Sequence, residues 1–165
     1  MGERLVLPLL FEKIPLNAPN PFTNYFFVDC DAEAIDVLSK RASASSLSNR
    51  VQYSVGDSNV KVREIVDYIK CADAQYLQGV WPSLNLAFLD PDGLELHWET
   101  VATLAEVRTD LIIHYSQMGV TRNVPVYVKQ VEETVVDRFF GGRDWRTISK
   151  SPRSAGRLLN HYVDK

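Results

Sequence analysis

The sequence of 165 residues has little cysteine, little glycine and no long apolar run. Its two cysteines, Cys30 and Cys71, are too few for a disulfide framework or a zinc site of their own, so we expect free thiols in a reducing cytoplasm. Leu5 to Phe11 is apolar, but it is short and contains Pro8, so we expect neither a signal peptide nor a membrane span. The spacings of a P-loop, of a serine nucleophile elbow and of a metal site are also missing.

The sequence also lacks a large net charge, since its net charge is only −3. This excludes a chain that binds polyanions through its overall composition. The segment 143–165 is nevertheless basic, because two acids, Asp144 and Asp164, stand against six cations: Arg143, Arg146, Lys150, Arg153, Arg157 and Lys165. Two interpretations stay open. The segment either binds phosphate or an acidic partner, or it is the solvated face of a C-terminal helix, and we favour the second.

What the sequence does contain is an alternation of strand and helix patterns, with 45% hydrophobic residues to build a core. We predict strands at 25–28, 51–55, 86–89 and 110–115, and helices opening at Asp31, after Gly56-Asp57, over 94–107, over 127–140 and at Ser151-Pro152. Residues 1–22 stay unassigned. This order predicts one α/β domain over residues 1–165, with a mostly parallel sheet flanked by helices.

Acidic residues follow three of the predicted strands. Asp29 and Asp31 follow the first, Gly56-Asp57 follows the second, and Asp90 and Asp92 enclose Pro91 after the third. Ligands of open α/β sheets bind at the carboxyl ends of strands, where a carboxylate can accept the hydroxyls of a ribose. Aspartate is also common in turns and helix caps. Spacing alone therefore leaves a nucleoside site and a set of ordinary turns as alternatives.

Other polar residues have weaker signals. Arg122 and Asn123 follow the fourth strand, where they either contact a substrate or hydrogen-bond a loop. We expect His97 to be structural and His114 to be packed within a strand rather than catalytic. The aromatic residues Phe139, Phe140 and Trp145 are expected to close a helix end on the core, with an exposed partner-binding patch as the alternative.

Five segments together resemble a known family. They are YFFVDCD, VGDSNV, LAFLDPDGLELHWETV, DLIIHYSQMGVTRN and VDRFFGGRDWR. These segments, within roughly residues 19–148, resemble the three-Cys-motif partner (TcmP) family. The resemblance implies a Rossmann-like fold of the class I S-adenosylmethionine-dependent methyltransferases and a partner protein that carries the cysteine motif. It leaves the reaction of the family itself undefined.

The resemblance also implies roles for the strand-end residues. Asp29, with Asp31, matches the acid that holds the ribose hydroxyls of S-adenosylmethionine, and Gly56-Asp57 matches the turn near its adenine. Asp90, with Asp92, matches the catalytic turn that orients the acceptor. Methyltransferases of amino groups carry a second proline and an aromatic residue in that turn, and Asp92 and Gly93 stand there instead. This difference argues against methylation of a base.

A further difference lies before Asn24, where Gly2 is the only glycine. Measured against that family pattern, we expect the first strand and its glycine-rich loop to be absent, and likewise the last strands at the carboxyl end. We expect the chain to be a fragment or short variant whose exposed sheet edges favour a partner or a homo-oligomer. Two hypotheses remain: an S-adenosylmethionine-dependent methyltransferase of unknown acceptor, and a non-catalytic module that binds its partner, with nucleic acid contacting the basic segment 143–165.

Overall fold

The structure is a computed structural model that describes residues 22–74, 83–151 and 153–165. In this part of the chain, four strands and seven α-helices form a mixed α/β structure with two small parallel sheets. The chain divides into two compact units, with the boundary between Asp67 and Tyr68. The predicted α/β class is confirmed, and the single domain over residues 1–165 stays a prediction. The unassigned segment 1–22 lies outside the described residues except for Phe22.

The first unit contains a parallel pair of strands on which a helix packs. Its elements are β1 (Tyr25–Asp29), α1 (Ala32–Ala42), a short 3₁₀ helix (Ser48–Arg50), β2 (Val51–Val55) and α2 (Ser58–Ala74), which runs past the unit boundary. The strands pair from Tyr25 with Val51 to Asp29 with Val55. Helix α1 packs on both strands and buries Ile35. The strands and helices predicted for this unit are confirmed.

The second unit contains another parallel pair, followed by a group of helices. Its elements are β3 (Asn85–Leu89), α3 (Trp98–Leu104), β4 (Thr109–Ile113), α4 (Gln117–Tyr127), α5 (Val135–Phe140), α6 (Trp145–Ser149) and α7 (Ser154–Val163). The strands β3 and β4 pair from Asn85 with Thr109 to Leu89 with Ile113. Parallel pairing was predicted. In the described residues, however, the four strands form two separate sheets rather than one.

The helix predicted over 94–107 begins later than expected, at Trp98. Leu94 and Leu96 are buried and Glu95 between them is exposed, which is the period of an extended segment rather than of a helix. The turn at Pro91–Gly93 therefore leads into extended chain before α3 starts. Ala105, predicted on the apolar face, is the exposed C-cap of α3.

The helix predicted over 127–140 is wrong in its first half. Helix α4 occupies 117–127 and includes Pro125, although we expected a loop around Arg122 and Asn123, and α5 begins only at Val135. A proline near the end of a helix removes only one donor, and Ser116 caps the start of α4 by accepting a hydrogen bond from Gly119 N at 3.2 Å. The end of α5 at Gly141 is confirmed, with φ 63° at this C-cap.

The last helix also starts later than predicted. Ser151 is not its N-cap, because the Ser151 hydroxyl donates to Ile148 O at 2.7 Å and so belongs to the end of α6. The N-cap of α7 is Arg153, in the left-handed conformation with φ 58°. Pro152, predicted as the first helical residue, lies outside the described residues.

The core of the second unit is aromatic. Phe139, Phe140 and Trp145 are fully buried, and Phe139 stacks on Tyr162 with a centroid distance of 4.7 Å. A Cβ atom at Gly141 would lie 2.5 Å from Trp98 Cδ1, so only glycine fits beside this ring. The aromatic cluster is therefore part of the core, as expected, rather than an exposed patch.

Candidate functional site

The end of β1 holds Asp29, whose carboxylate is bonded within its own turn. The residue is only 8% exposed. Its Oδ1 accepts from Asp31 N at 2.8 Å, and its main-chain oxygen accepts from Gly56 N at 2.9 Å. These bonds bring together three of the four residues predicted to bind cofactor. The end of β1 and the turn after β2 therefore form one local structure.

Asp31 and Asp57 act as helix caps at this edge. Asp31 Oδ1 accepts from Glu33 N at 2.9 Å and from Ala34 N at 3.3 Å at the start of α1. Asp57 Oδ1 accepts from Asn59 N at 2.8 Å at the start of α2. Both residues are exposed. An ionised carboxylate has more acceptor positions than these bonds use, so capping is compatible with a bound ligand.

Gly56 has a conformation that other residues rarely adopt, with φ 149°. It lies directly between β2 and the Asp57 cap. Because the residue has no side chain, the backbone here can approach a flat ligand closely. Gly56 therefore adopts a conformation that favours glycine at this turn.

At the carboxyl edge of the second sheet, Asp90 pairs with His114. Asp90 follows β3 and His114 follows β4, one residue beyond the paired residues Leu89 and Ile113. His114 N donates to Leu89 O at 2.8 Å, which continues the strand pairing. Asp90 Oδ1 and His114 Nδ1 are 2.5 Å apart. The interpretation of His114 as a packed strand residue is therefore wrong, since it lies after the strand with its side chain 63% exposed.

Asp92 is not part of this pair. It lies exposed on a turn in which Gly93 N donates to Pro91 O at 3.0 Å. Gly93 has φ 98°, and its Cα lies 3.4 Å from where a Cβ of Gly119 would be. The turn therefore packs against the first turn of α4, so its position is fixed relative to the Asp90–His114 pair.

Arg122 and Asn123 lie on α4 and not on the loop that we predicted. Asn123 Nδ2 donates to Gly119 O at 2.9 Å, so its amide bonds to the backbone of its own helix. Arg122 is exposed on this helix. Of the two alternatives for Asn123, hydrogen bonding to the protein backbone is the one that the structure contains.

The tyrosines near this edge do not titrate near neutral pH. Burial raises the pKa of Tyr115 to about 12. Burial, and then the neighbouring Tyr115, raises the pKa of Tyr162 to about 12.

Sequence reasoning missed Asp137, a buried acid whose carboxylate accepts five hydrogen bonds. It accepts from Thr134 N and Oγ1 at 2.8 and 2.9 Å, from Trp145 Nε1 at 2.9 Å, and from Arg146 Nη2 and Nε at 2.7 and 3.2 Å. Burial raises its pKa, but the bonds from Arg146, Trp145 and Thr134 outweigh burial and lower the pKa below 3.8. The spacing Thr-x-x-Asp, a variant of the capping box, was the available signal.

The basic segment 143–165 divides into engaged and exposed cations. Besides Asp137, Arg146 bonds to Gln130 O. Lys165 Nζ bonds to Phe140 O and Gly141 O and lies 5.3 Å from the centre of the Trp98 ring. These two cations stabilise the fold. The other cations of the segment, Arg143, Lys150, Arg153 and Arg157, are all exposed.

No group of three or more acidic, histidine or cysteine side chains is suited to a metal ion in residues 22–74, 83–151 and 153–165. Over the same ranges, no helix has the length and apolar character needed to cross a bilayer. Cys30 and Cys71 are exposed free thiols.

Comparison with models of protein families, with curated proteins and with solved structures gives no match.

Proposed function

We propose that the chain is a TcmP-type protein with a methyltransferase-like fold that binds S-adenosylmethionine and acts on an acceptor at Asp90. The observation that carries this proposal is Asp29. It is a nearly buried carboxylate at the end of a parallel strand, and its main chain is bonded to the glycine turn of the neighbouring strand. In the fold that the sequence resembles, the ribose and adenine of the cofactor bind at this position.

The strand pairing supports the same fold. Doubly wound sheets place their first strand at the centre, with the next two on one side and the following ones on the other. Parallel pairing of strands that follow one another in the chain, as in β1–β2 and β3–β4, is a feature of such sheets.

The residues present fit the nucleoside part of the cofactor. Asp29 would accept the ribose hydroxyls, Gly56 would let the backbone approach the adenine, and Asp57 would accept from its amino group. When bound, S-adenosylmethionine supplies an electrophilic methyl group. Asp90 would orient the acceptor. Asp92 is exposed on the turn and would contact the acceptor there.

Calorimetric titration with S-adenosylmethionine and S-adenosylhomocysteine tests this proposal. We expect saturable binding that is lost in Asp29→Ala, because the ribose loses its acceptor. Asp36→Ala is the matched control, since it removes an exposed acid of α1 that pairs with Lys40. Circular dichroism verifies that each variant is folded. No binding by the folded wild-type chain, or equal binding by Asp29→Ala, would contradict the proposal.

The proposal also includes a location in the cytoplasm and association with a partner protein or a second copy. Exposed free thiols at Cys30 and Cys71 support a reducing cytoplasm, because exposed thiols oxidise elsewhere. Each described sheet has only two strands, and Leu86 and Ile112 are exposed on the second sheet. Such apolar sheet surfaces support association with a three-Cys-motif protein or with a second copy of the chain.

A second candidate function is a non-catalytic module that contacts nucleic acid. It is favoured by the exposure of Arg143, Lys150, Arg153 and Arg157. Fluorescence polarisation with a labelled DNA duplex, repeated at increasing salt, tests this function. Charge reversal at Arg153 and Arg157 should abolish binding, and reversal at the exposed Arg41 and Arg63 should not. Equal loss in both double variants would indicate a response to net charge alone.

A further inference from the structure

We propose that His114 is the proton acceptor of the site, that Asp90 positions it, and that the acceptor molecule presents a hydroxyl group. The assignment of a methyl acceptor rests on the proposed function, whereas the proton transfer can be tested without it. The pair lies at the carboxyl edge of a parallel sheet, where ligands of α/β proteins bind.

Geometry determines which ring nitrogen is available. The Asp90 carboxylate has only acceptor atoms when ionised, so Nδ1 at 2.5 Å carries the proton that joins the two residues. In the neutral imidazole, Nε2 then has the lone pair. Asp90 thus selects the tautomer in which the outward nitrogen accepts a proton.

The side chains of Asp90 and His114 differ in their exposure to solvent. The Asp90 side chain is 20% exposed, whereas that of His114 is 63% exposed. The positioning carboxylate is therefore largely shielded, and the imidazole can be reached by a ligand. A pair this exposed contributes at most about 1 kcal/mol to stability. Stability alone is thus a weak reason for the arrangement.

The turn beside the pair indicates the class of acceptor. Asp92 and Gly93 stand where a stacking aromatic residue would hold a base, so the turn offers a base no platform. A neutral amine attacks with its own lone pair, whereas a hydroxyl is a poor nucleophile until a base takes its proton. In the proposed step the O–H bond breaks, its electron pair stays on oxygen and the proton moves to Nε2. The resulting imidazolium is stabilised by Asp90.

Nuclear magnetic resonance of the full chain tests the role of Asp90. The chain has three histidines, His97, His114 and His161, so single His→Gln variants assign the ring signals. At mildly alkaline pH we expect His114 to have its proton on Nδ1. In Asp90→Asn the amide can donate to Nδ1, and the proton should shift toward Nε2. A proton on Nε2 in the wild type, or an unchanged tautomer in Asp90→Asn, would overturn the inference.

The probe 4-nitrophenol tests proton transfer from a hydroxyl, because its phenolate absorbs visible light. With protein in excess at neutral pH, we expect the phenolate fraction to rise with the wild type and with His97→Gln. The rise should be absent with His114→Gln and reduced at least twofold with Asp90→Asn. No rise with the folded wild type, or an equal rise with His114→Gln, would overturn the inference. Neither result depends on S-adenosylmethionine, whose binding is measured separately by calorimetry.

Discussion

The two sheet edges carry aspartates at equivalent positions, but these aspartates are bonded differently. In the first unit, Asp31 and Asp57 accept from backbone amides at the starts of α1 and α2. In the second unit, Ser116 caps α4, and Asp90 bonds to the side chain of His114. Where an aspartate at a strand end also caps the next helix, its carboxylate accepts hydrogen bonds from backbone amides. Where another residue provides the cap, the carboxylate can position a side chain instead.

Within the second unit, Asp137 and Asp90 differ in the same way. Asp137 is 4% exposed and accepts five hydrogen bonds, including two from Arg146. Asp90 pairs with an imidazole that is largely exposed. Burial and the number of donors thus separate an acid that stabilises the fold from one that can take part in chemistry. The following variants test this separation in order of decreasing effect.

Asp137→Asn should have the largest effect. It removes the negative charge between Arg146, Trp145 and Thr134 and leaves the largely buried guanidinium without its ion-pair partner. We expect the free energy of unfolding to fall by about 3–5 kcal/mol, as for other broken buried pairs. Urea denaturation measures the loss, and Asp144→Asn, at an exposed acid near the same helices, is the control. A loss below about 1 kcal/mol would show that the bonds to Asp137 contribute little net stability.

Low pH should reduce the stability of the chain by protonating the Asp137 carboxylate. The pKa of Asp137 is lowered in the folded chain, so between its folded and unfolded values the unfolded chain binds more protons. Its contribution to stability is therefore present above about pH 4 and is lost as the pH falls through the folded pKa. Urea denaturation at several acidic pH values should show a steeper loss in the wild type than in Asp137→Asn. Equal slopes would assign the acid sensitivity to other carboxyls.

The strands and the Asp31 cap of the first unit could be predicted from sequence because they depend on local signals. Residues 51–55 alternate, and Asp31 precedes an apolar helix pattern. The Asp90–His114 pair could not be predicted, because it depends on the register that places the ends of β3 and β4 side by side. Asp137 escaped notice because its partners Trp145 and Arg146 lie on another helix. Helix α4 was not predicted, although its Pro125 lies near the helix end and costs only one bond.

Asp31→Ala should have an intermediate effect. Loss of the cap bonds to Glu33 N and Ala34 N should lower the free energy of unfolding by about 1 kcal/mol. Asp31→Ser keeps a capping oxygen without the charge, so it should retain nearly all of the stability. Thermal unfolding compares the two variants. If Asp31→Ser unfolds as easily as Asp31→Ala, the charge rather than the cap accounts for the stability.

Asp90→Asn should have the smallest effect on stability, although it lies in the candidate site. Its partner is largely exposed, so the pair is screened by water and the free energy of unfolding should change by less than about 1 kcal/mol. Urea denaturation beside Asp137→Asn measures the difference between the two acids. A loss as large as that of Asp137→Asn would mean that Asp90 supports the fold, and the comparison between the two acids would fail. A small loss together with a changed His114 tautomer would separate its positioning role from stability.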